Sequence, residues 1–200
     1  MSHRTPGFQL TDLFPREIDI EVCLKTLRIF QKMEGDVNCV VWDASLVLAK
    51  YLETMCQTKP EFLSGLRVLE LGSGLGVVGL TAATLGAQVT LTDLPEALPL
   101  LRLNLSENKS KIASMGGYAI AESLALLPLI ETLQCLNHTL KQKPTIYLTQ
   151  ELRDSEIQKK LWNDFYEKLN EYFYIEKIPE EQQHVNYRSP DILLLKIIKK

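Results

Sequence analysis

The sequence predicts an α/β fold built on a parallel sheet, and three observations favour that class. An apolar, β-branched run over 68–71 ends abruptly in a glycine-rich segment, 72–76. An apolar helical pattern follows at once over 77–85, and a second apolar strand pattern occupies 88–93. This order is typical of a buried parallel strand that turns into a helix and returns as a neighbouring strand. Residues 66–93 therefore form one predicted βαβ unit.

The glycine-rich segment predicts a ligand site at the carboxyl edge of this unit. Glycines let the backbone turn tightly and approach a ligand without an intervening Cβ. Asp93 ends the second strand, about 20 residues after Gly72, where an acid is positioned to hold ribose hydroxyls. We therefore predict a nucleoside-sized site.

The details of the segment decide which nucleoside is expected. The dinucleotide fingerprint G-x-G-x-x-G requires glycine where Val77 stands, and Gly76 comes one residue early. The carboxylate of Glu70 would repel a pyrophosphate drawn to the helix N-terminus, but it suits a positively charged ligand without phosphate. S-adenosylmethionine (SAM) carries an adenosine, a sulfonium and an amino group, so SAM is the predicted cofactor. A glycine-rich turn without a ligand and a different nucleotide remain open alternatives.

The composition limits the class of protein. The chain has 200 residues, of which 46% are hydrophobic, and this suits one domain with a substantial core. The net charge of −3 argues against broad nucleic-acid binding. The apolar runs are shorter than a membrane span, and no signal-peptide pattern opens the sequence. The cysteines and histidines lack metal-like spacing, so we expect no metal. Without a secretion signal, reduced thiols are the default. We expect a monomeric, cytoplasmic protein without a membrane partner.

The N-terminal part predicts a loose lead-in followed by a hairpin. Residues 1–17 are polar and contain two prolines, and we assign 18–200 to a single domain. Apolar residues alternate with polar ones over 18–24, Val22 and Leu24 included, and the alternation resumes after a slip in phase. This pattern favours a small β-hairpin packed against the main body.

A helix is predicted next, over 44–52, with Asp43 as its N-cap. Trp42 then precedes the cap, and two interpretations of its side chain stay open. It packs against the helix as a hydrophobic staple, or it forms an aromatic wall for the cofactor beside the glycine-rich segment.

The remaining elements continue the alternation of helix and strand. A leucine-rich helix is predicted from about Pro95 to Asn108, and Pro99 can shift its start later. The other predicted elements are a strand at 118–124, a helix from 126 to about 140, a strand at 145–149, an amphipathic helix capped by Ser155, and strands at 173–175 and 192–198. The last strand is nearly all apolar, which favours a sheet interior, and the final two strands predict an antiparallel tail.

Several motifs resemble one known family. The segment Glu70–Gly76, the turn Thr92–Pro95 and the closing strand pair resemble the seven-strand SAM-dependent methyltransferases. More specific similarities to the methyltransferase-like protein-lysine methyltransferases lie in 39–44, 48–53, 77–80, 83–87 and 187–189. The resemblance covers about residues 18–198. Within the family, the chain looks like the member that methylates valosin-containing protein, a AAA-type ATPase.

The resemblance implies a fold, an activity and site residues. It implies a Rossmann-like methyltransferase sheet with an antiparallel C-terminal strand pair and an N-terminal β-hairpin. It implies a SAM-dependent protein-lysine N-methyltransferase whose substrate is a protein, valosin-containing protein or a similar one. The implied cofactor-binding residues are Gly72, Ser73 and Gly74 under the methionine end, Asp93 on the ribose, Trp42 along the pocket, and Glu70 as the acid of the first motif.

One part of the family pattern is missing, and no catalytic residue is assigned. The family carries Asp-x-x-Tyr after its fourth strand, and no aspartate in this sequence has tyrosine three positions later. Residues 117–124 resemble the third strand of the family, and residues 127–133 resemble the helix that follows its fourth strand. These two stretches nearly abut in this sequence, so the central fourth strand is deleted. The sheet then needs 68–71 to pair directly with 145–149, because each buried unpaired group costs roughly 1–3 kcal/mol. The alternative functions are a non-catalytic SAM-binding or partner-binding module and a truncated isoform.

Overall fold

The computed structural model describes residues 10–33, 37–124, 129–140 and 143–200. The chain divides into two compact units, Met1–Ala125 and Leu126–Lys200. Part of the predicted lead-in and the predicted helix start at Leu126 lie outside the described residues. The assignment of 18–200 to a single domain stays a prediction. Within the described ranges, none of the helices combines the length and apolar character needed to cross a bilayer.

The first unit opens with the expected β-hairpin. Strand β1 (Leu13–Ile20) pairs antiparallel with β2 (Lys25–Lys32), and β1 begins inside the stretch predicted as a lead-in. The prediction was wrong for Val22 and Leu24, which lie in the turn rather than in a strand. Leu24 is 91% exposed with φ +54°, so the slip in the apolar alternation marks this turn.

A buried ion pair links the next helix, α1 (Asp43–Thr58), to the hairpin turn. Lys50 Nζ lies 2.8 Å from Glu53 Oε2, and the two side chains are only 2% and 0% exposed. Lys50 also donates to the Asp19 carbonyl at 2.5 Å, and Glu53 Oε1 accepts from the Val22 N–H at 3.0 Å. Both charges are thus satisfied by groups that also hold the turn in place.

Three parallel strands form the sheet of the first unit, in the order β3 (Arg67–Leu71), β4 (Gln88–Asp93), β5 (Tyr118–Ser123). Helix α2 (Val77–Thr84) connects β3 to β4, which confirms the predicted βαβ unit. Helix α3 (Leu98–Ser114) connects β4 to β5. It has Pro99 in its first turn, and it continues past the predicted end because the first strong C-terminal signal is Gly116, with φ +78°.

Strand β3 differs from the buried strand that the sequence predicts. Among the described residues it pairs with β4 alone, so it is an edge strand of this sheet. Leu69 is 42% exposed, whereas the neighbouring Glu70 side chain reaches α2. Successive side chains of a strand point to opposite faces, and an apolar run predicts burial on both only where other elements cover both faces of the sheet. The face of β3 that carries Leu69 is not fully covered.

The second unit contains an antiparallel sheet in the order β6-β8-β7, formed by β6 (Ile146–Glu151), β7 (Phe173–Lys177) and β8 (Ile192–Lys199). Helices α4 (Leu129–Thr139) and α5 (Glu156–Tyr172) accompany these strands. The predicted interior position of the last strand is confirmed. The expected direct pairing of 68–71 with 145–149 is wrong, because among the described residues β3 pairs with β4 alone and β6 pairs with β8 alone.

Candidate functional site

The site is built on the loop 72–76, here called the glycine loop, which joins β3 to α2. The backbone φ angles of Gly72, Gly74 and Gly76 are +68°, +52° and +85°. Residues other than glycine rarely adopt this region. Among the described residues, and apart from the chain neighbours of each glycine, no heavy atom lies within 4 Å of the position that a Cβ on Gly72 or Gly74 would occupy. A Cβ on Gly76, by contrast, would lie 2.7 Å from Leu101 Cδ1. The loop is therefore packed against the protein at Gly76 and open at Gly72 and Gly74.

Ser73 anchors the glycine loop to the end of β4. Its backbone N–H donates to the Thr92 carbonyl at 2.9 Å, and its Oγ accepts from the Thr92 N–H at 3.0 Å. Thr92 Oγ1 in turn donates to the Glu70 carbonyl at 2.6 Å. The Ser73 hydroxyl is thus directed to the protein, and the open part of the loop consists of backbone at its two glycines.

Asp93 is bonded directly to the glycine loop. Its Oδ2 accepts from the Gly74 N–H at 2.6 Å, and its Oδ1 accepts from the Leu94 N–H at 2.7 Å. The parallel register places it there, because Leu71 pairs with Thr92 and the two strands end together. Each carboxylate oxygen offers more than one acceptor position, so the group can still accept hydroxyl hydrogens from a ligand.

The Glu70 carboxylate lies at the N-terminus of α2. Its Oε2 accepts from the Gly79 N–H, in the first turn of the helix, at 3.0 Å. Burial raises the pKa of Glu70 to about 7, and the nearby Asp93 charge adds to this, while hydrogen bonds from Ser73 and Gly79 oppose it. The helix end that would attract a phosphate already has its own carboxylate, which agrees with a phosphate-free ligand.

Gly79 allows this contact, and the sequence reasoning gave it no role. A Cβ at this position would overlap Leu91 Cδ2 and lie 2.5 Å from Glu70 Oε2. Glycine therefore lets α2 approach the sheet and lets the carboxylate reach the helix end. The available signal was a glycine inside an otherwise apolar helix, where it lowers stability unless close packing requires it.

Two buried asparagines on α3 were also missed. Asn104 bonds to the Leu75 carbonyl of the glycine loop, and both Asn104 and Asn108 bond to the backbone of β2. Their spacing of four residues on a leucine-rich helix was the available signal, because it places two amides together on one face. Sequence spacing alone could not show which backbone groups they reach.

Trp42 is the N-cap residue of α1, so Asp43 is the first helical residue rather than the predicted cap. The indole Nε1–H of Trp42 donates to the Val37 carbonyl at 2.7 Å. The structure thus brings Glu70, the glycine loop and Asp93 into one site. The role of Trp42 along a cofactor pocket stays a prediction.

Comparison with solved structures shows the same class of fold. The P. horikoshii TYW2 in complex with MeSAdo matches with a TM-score of 0.52 and 12% identity, over 96% of this chain and 72% of that one. The T. thermophilus 16S rRNA methyltransferase RsmC, in complex with AdoMet and guanosine, matches with a TM-score of 0.52 and 14% identity, over 94% and 51% of the two chains.

Comparison of sequences finds relatives of higher identity than the solved structures, and both are named as lysine methyltransferases. EEF1A lysine methyltransferase 3 of Xenopus tropicalis is 39% identical over 109 residues, which is 54% of this chain and 47% of that protein. Protein N-lysine methyltransferase METTL21A of Xenopus tropicalis is 49% identical over 75 residues, 38% of this chain and 33% of that protein. The chain thus spans less than half the length of either curated relative.

A family model described as lysine methyltransferase matches residues 23–125, about half of the chain. This region runs from the hairpin turn through α3 and β5, and it includes the glycine loop, Glu70 and Asp93. The chain therefore belongs to the lysine methyltransferase family.

Proposed function

We propose that this chain binds SAM at the glycine loop. The observation that carries the proposal is the bond from the Gly74 N–H to the Asp93 carboxylate, beside open space at Gly72 and Gly74. An acid held at a glycine turn can take ribose hydroxyls while the ligand lies against the backbone. The complexes of TYW2 with MeSAdo and of RsmC with AdoMet support the choice of an adenosyl ligand.

The residues of the site have distinct tasks in this proposal. Gly72 and Gly74 give the methionine end close access to the backbone, and Asp93 accepts hydrogen bonds from the ribose. Glu70 holds the first turn of α2, and its ionised form places negative charge near a cationic ligand. Ser73 fixes the loop to β4, and Trp42 lines the pocket. When bound, SAM supplies an electrophilic methyl group on its sulfonium.

We further propose that the activity is transfer of that methyl group to a lysine side chain of a protein. Membership of the lysine methyltransferase family and the names of the two relatives support this reaction. The substrate we propose is valosin-containing protein or a similar protein, as the resemblance implies. EEF1A, which one relative's name specifies, is the natural comparison substrate.

A second candidate is a SAM-binding or partner-binding module without catalysis. Two observations favour it. No aspartate of the chain is followed by tyrosine three positions later, so the family's lysine-receiving motif is missing. In addition, β3 pairs with one strand alone among the described residues. Methyl transfer requires a neutral amine aligned with the sulfonium, and none of the described site residues is assigned that alignment.

A methyl-transfer assay with radiolabelled SAM separates the two candidates. The full chain is incubated with valosin-containing protein and, separately, with EEF1A, and Asp93→Ala serves as the matched inactive control. Label in substrate lysines that depends on Asp93 supports the methyltransferase. SAM retained in equilibrium dialysis without any transferred label supports the module. If the chain neither retains SAM nor transfers label, the methyltransferase and the SAM-binding module are both refuted, and retention of valosin-containing protein by the chain in a pull-down then decides whether it is a partner-binding module.

A further inference from the structure

Asn104 contacts two separate parts of the first unit through one side-chain amide. Its Oδ1 accepts from the Phe30 N–H at 2.7 Å, and its Nδ2 donates to the Phe30 carbonyl at 3.1 Å and to the Leu75 carbonyl at 3.1 Å. The residue is 0% exposed. These three partners fix the orientation of the amide, because the reverse orientation would place its oxygen against two carbonyl oxygens.

The Leu75 carbonyl belongs to the part of the glycine loop that determines its shape. Leu75 is buried and stands between Gly74 and Gly76, both of which have positive φ. The neighbouring loop bonds run from Gly74 N–H to Asp93 and from Gly76 N–H to the Ser73 carbonyl, at 2.6 and 2.7 Å. The Asn104 bond therefore adds an attachment to α3 that the bonds to β4 and within the loop do not supply.

Asn108, one turn further along α3, makes similar bonds but serves the hairpin. It is also 0% exposed. Its Oδ1 accepts from the Arg28 N–H at 2.9 Å, and its Nδ2 donates to the carbonyls of Arg28 and Asn104, both at 2.8 Å. None of these Asn108 hydrogen bonds reaches the glycine loop. The two asparagines thus share burial and bonding to β2, and they differ in the loop contact.

We propose that Asn104 is a positioning residue, which holds the glycine loop in its ligand-binding conformation and couples it to the edge of β2. The effect on SAM binding rests on the proposed function, whereas the effect on the loop does not. Removal of the amide leaves the buried Leu75 carbonyl without this donor, and the loop then gains alternative conformations. Only the fraction of molecules with the bound-state conformation contributes to affinity, so Kd rises as that fraction falls.

The test compares Asn104→Ala with Asn108→Ala, which serves as the matched control. We measure the Kd for SAM by calorimetry, amide hydrogen exchange over 73–76 without ligand, and unfolding in urea. Asn104→Ala should raise Kd about five- to tenfold, the size expected for one lost hydrogen bond, and should accelerate exchange in the loop. Asn108→Ala should lower stability to a similar degree and leave Kd and loop exchange close to the wild-type values.

Equal effects of the two substitutions on Kd and on loop exchange would refute the positioning role. If Asn104→Ala does not fold, Asn104→Ser is measured in the same way, because its hydroxyl keeps one donor and should give smaller changes in the same direction. A wild-type chain that shows no heat with SAM would overturn the proposed function alone. The exchange measurement would still decide whether Asn104 orders the loop.

Discussion

Replacement of Glu70 by glutamine should stabilise the protein at alkaline pH and have little effect at acid pH. The pKa of Glu70 is raised from its ordinary value of 4.5 to about 7, mainly by burial. The folded protein therefore retains a proton that the unfolded chain releases between these two values. The free energy of unfolding falls as the pH rises through that window. At 1.36 kcal/mol for each pH unit, ionised Glu70 lowers stability by up to about 3 kcal/mol.

Glutamine removes this dependence without removing the contact. Its amide oxygen can accept the Gly79 N–H that Glu70 Oε2 accepts at 3.0 Å, and it carries no charge at any pH. Urea unfolding of both proteins at about pH 5 and about pH 8 measures the difference. Glu70→Gln should exceed the wild type by about 1–3 kcal/mol at the higher pH, and the advantage should shrink at the lower one.

The same titration on Glu17→Gln controls for the loss of a carboxylate, since Glu17 is exposed on β1. That variant should differ from the wild type by at most about 0.5 kcal/mol at both pH values. If Glu70→Gln changes stability equally at both pH values, or lowers it at the higher one, ionisation of Glu70 does not destabilise the folded protein. A Glu70 carboxylate with an ordinary pKa would be fully ionised at neutral pH, so this outcome would leave the repulsion of a phosphate at the start of α2 in place.

Two further substitutions test the packing around the site. Gly79→Ala should lower the free energy of unfolding by about 1–3 kcal/mol, despite the better helix propensity of alanine, because its Cβ would overlap Leu91 and crowd Glu70. Unchanged or improved stability in denaturant would show that α2 can move away from the sheet. Glu53→Ala should cost about 3–5 kcal/mol, because it leaves the buried Lys50 without its carboxylate, and a loss below about 1 kcal/mol in the same assay would contradict a buried pair.

The parts of the fold that sequence predicted well are those governed by local pattern. The βαβ unit follows from an apolar run, a glycine turn and a helix in direct succession. The same local rules place Glu70 before the turn and Asp93 at the end of the next strand. Parallel pairing of these strands then brings the two carboxylates close enough for the Asp93 charge to raise the pKa of Glu70.

The parts that sequence did not predict depend on contacts between distant residues. Asn104 and Phe30 are 74 positions apart, and no periodicity links a helix amide to the backbone of a strand so far away. The exposure of Leu69 depends on what covers its face of the sheet rather than on the sequence of the strand itself. The hairpin turn was misassigned because Val22 and Leu24 continue the alternation of apolar and polar residues, although strand β1 ends at Ile20 and the turn begins at Glu21.

Calorimetric titration of the full chain with SAM, beside Asp93→Ala, tests the central claim most directly. We predict saturable heat for the wild type and a Kd about 10- to 100-fold weaker for Asp93→Ala. This range corresponds to lost hydrogen bonds to a charged group. Absence of heat at high micromolar SAM, or equal affinity of the two proteins, would contradict binding at the glycine loop.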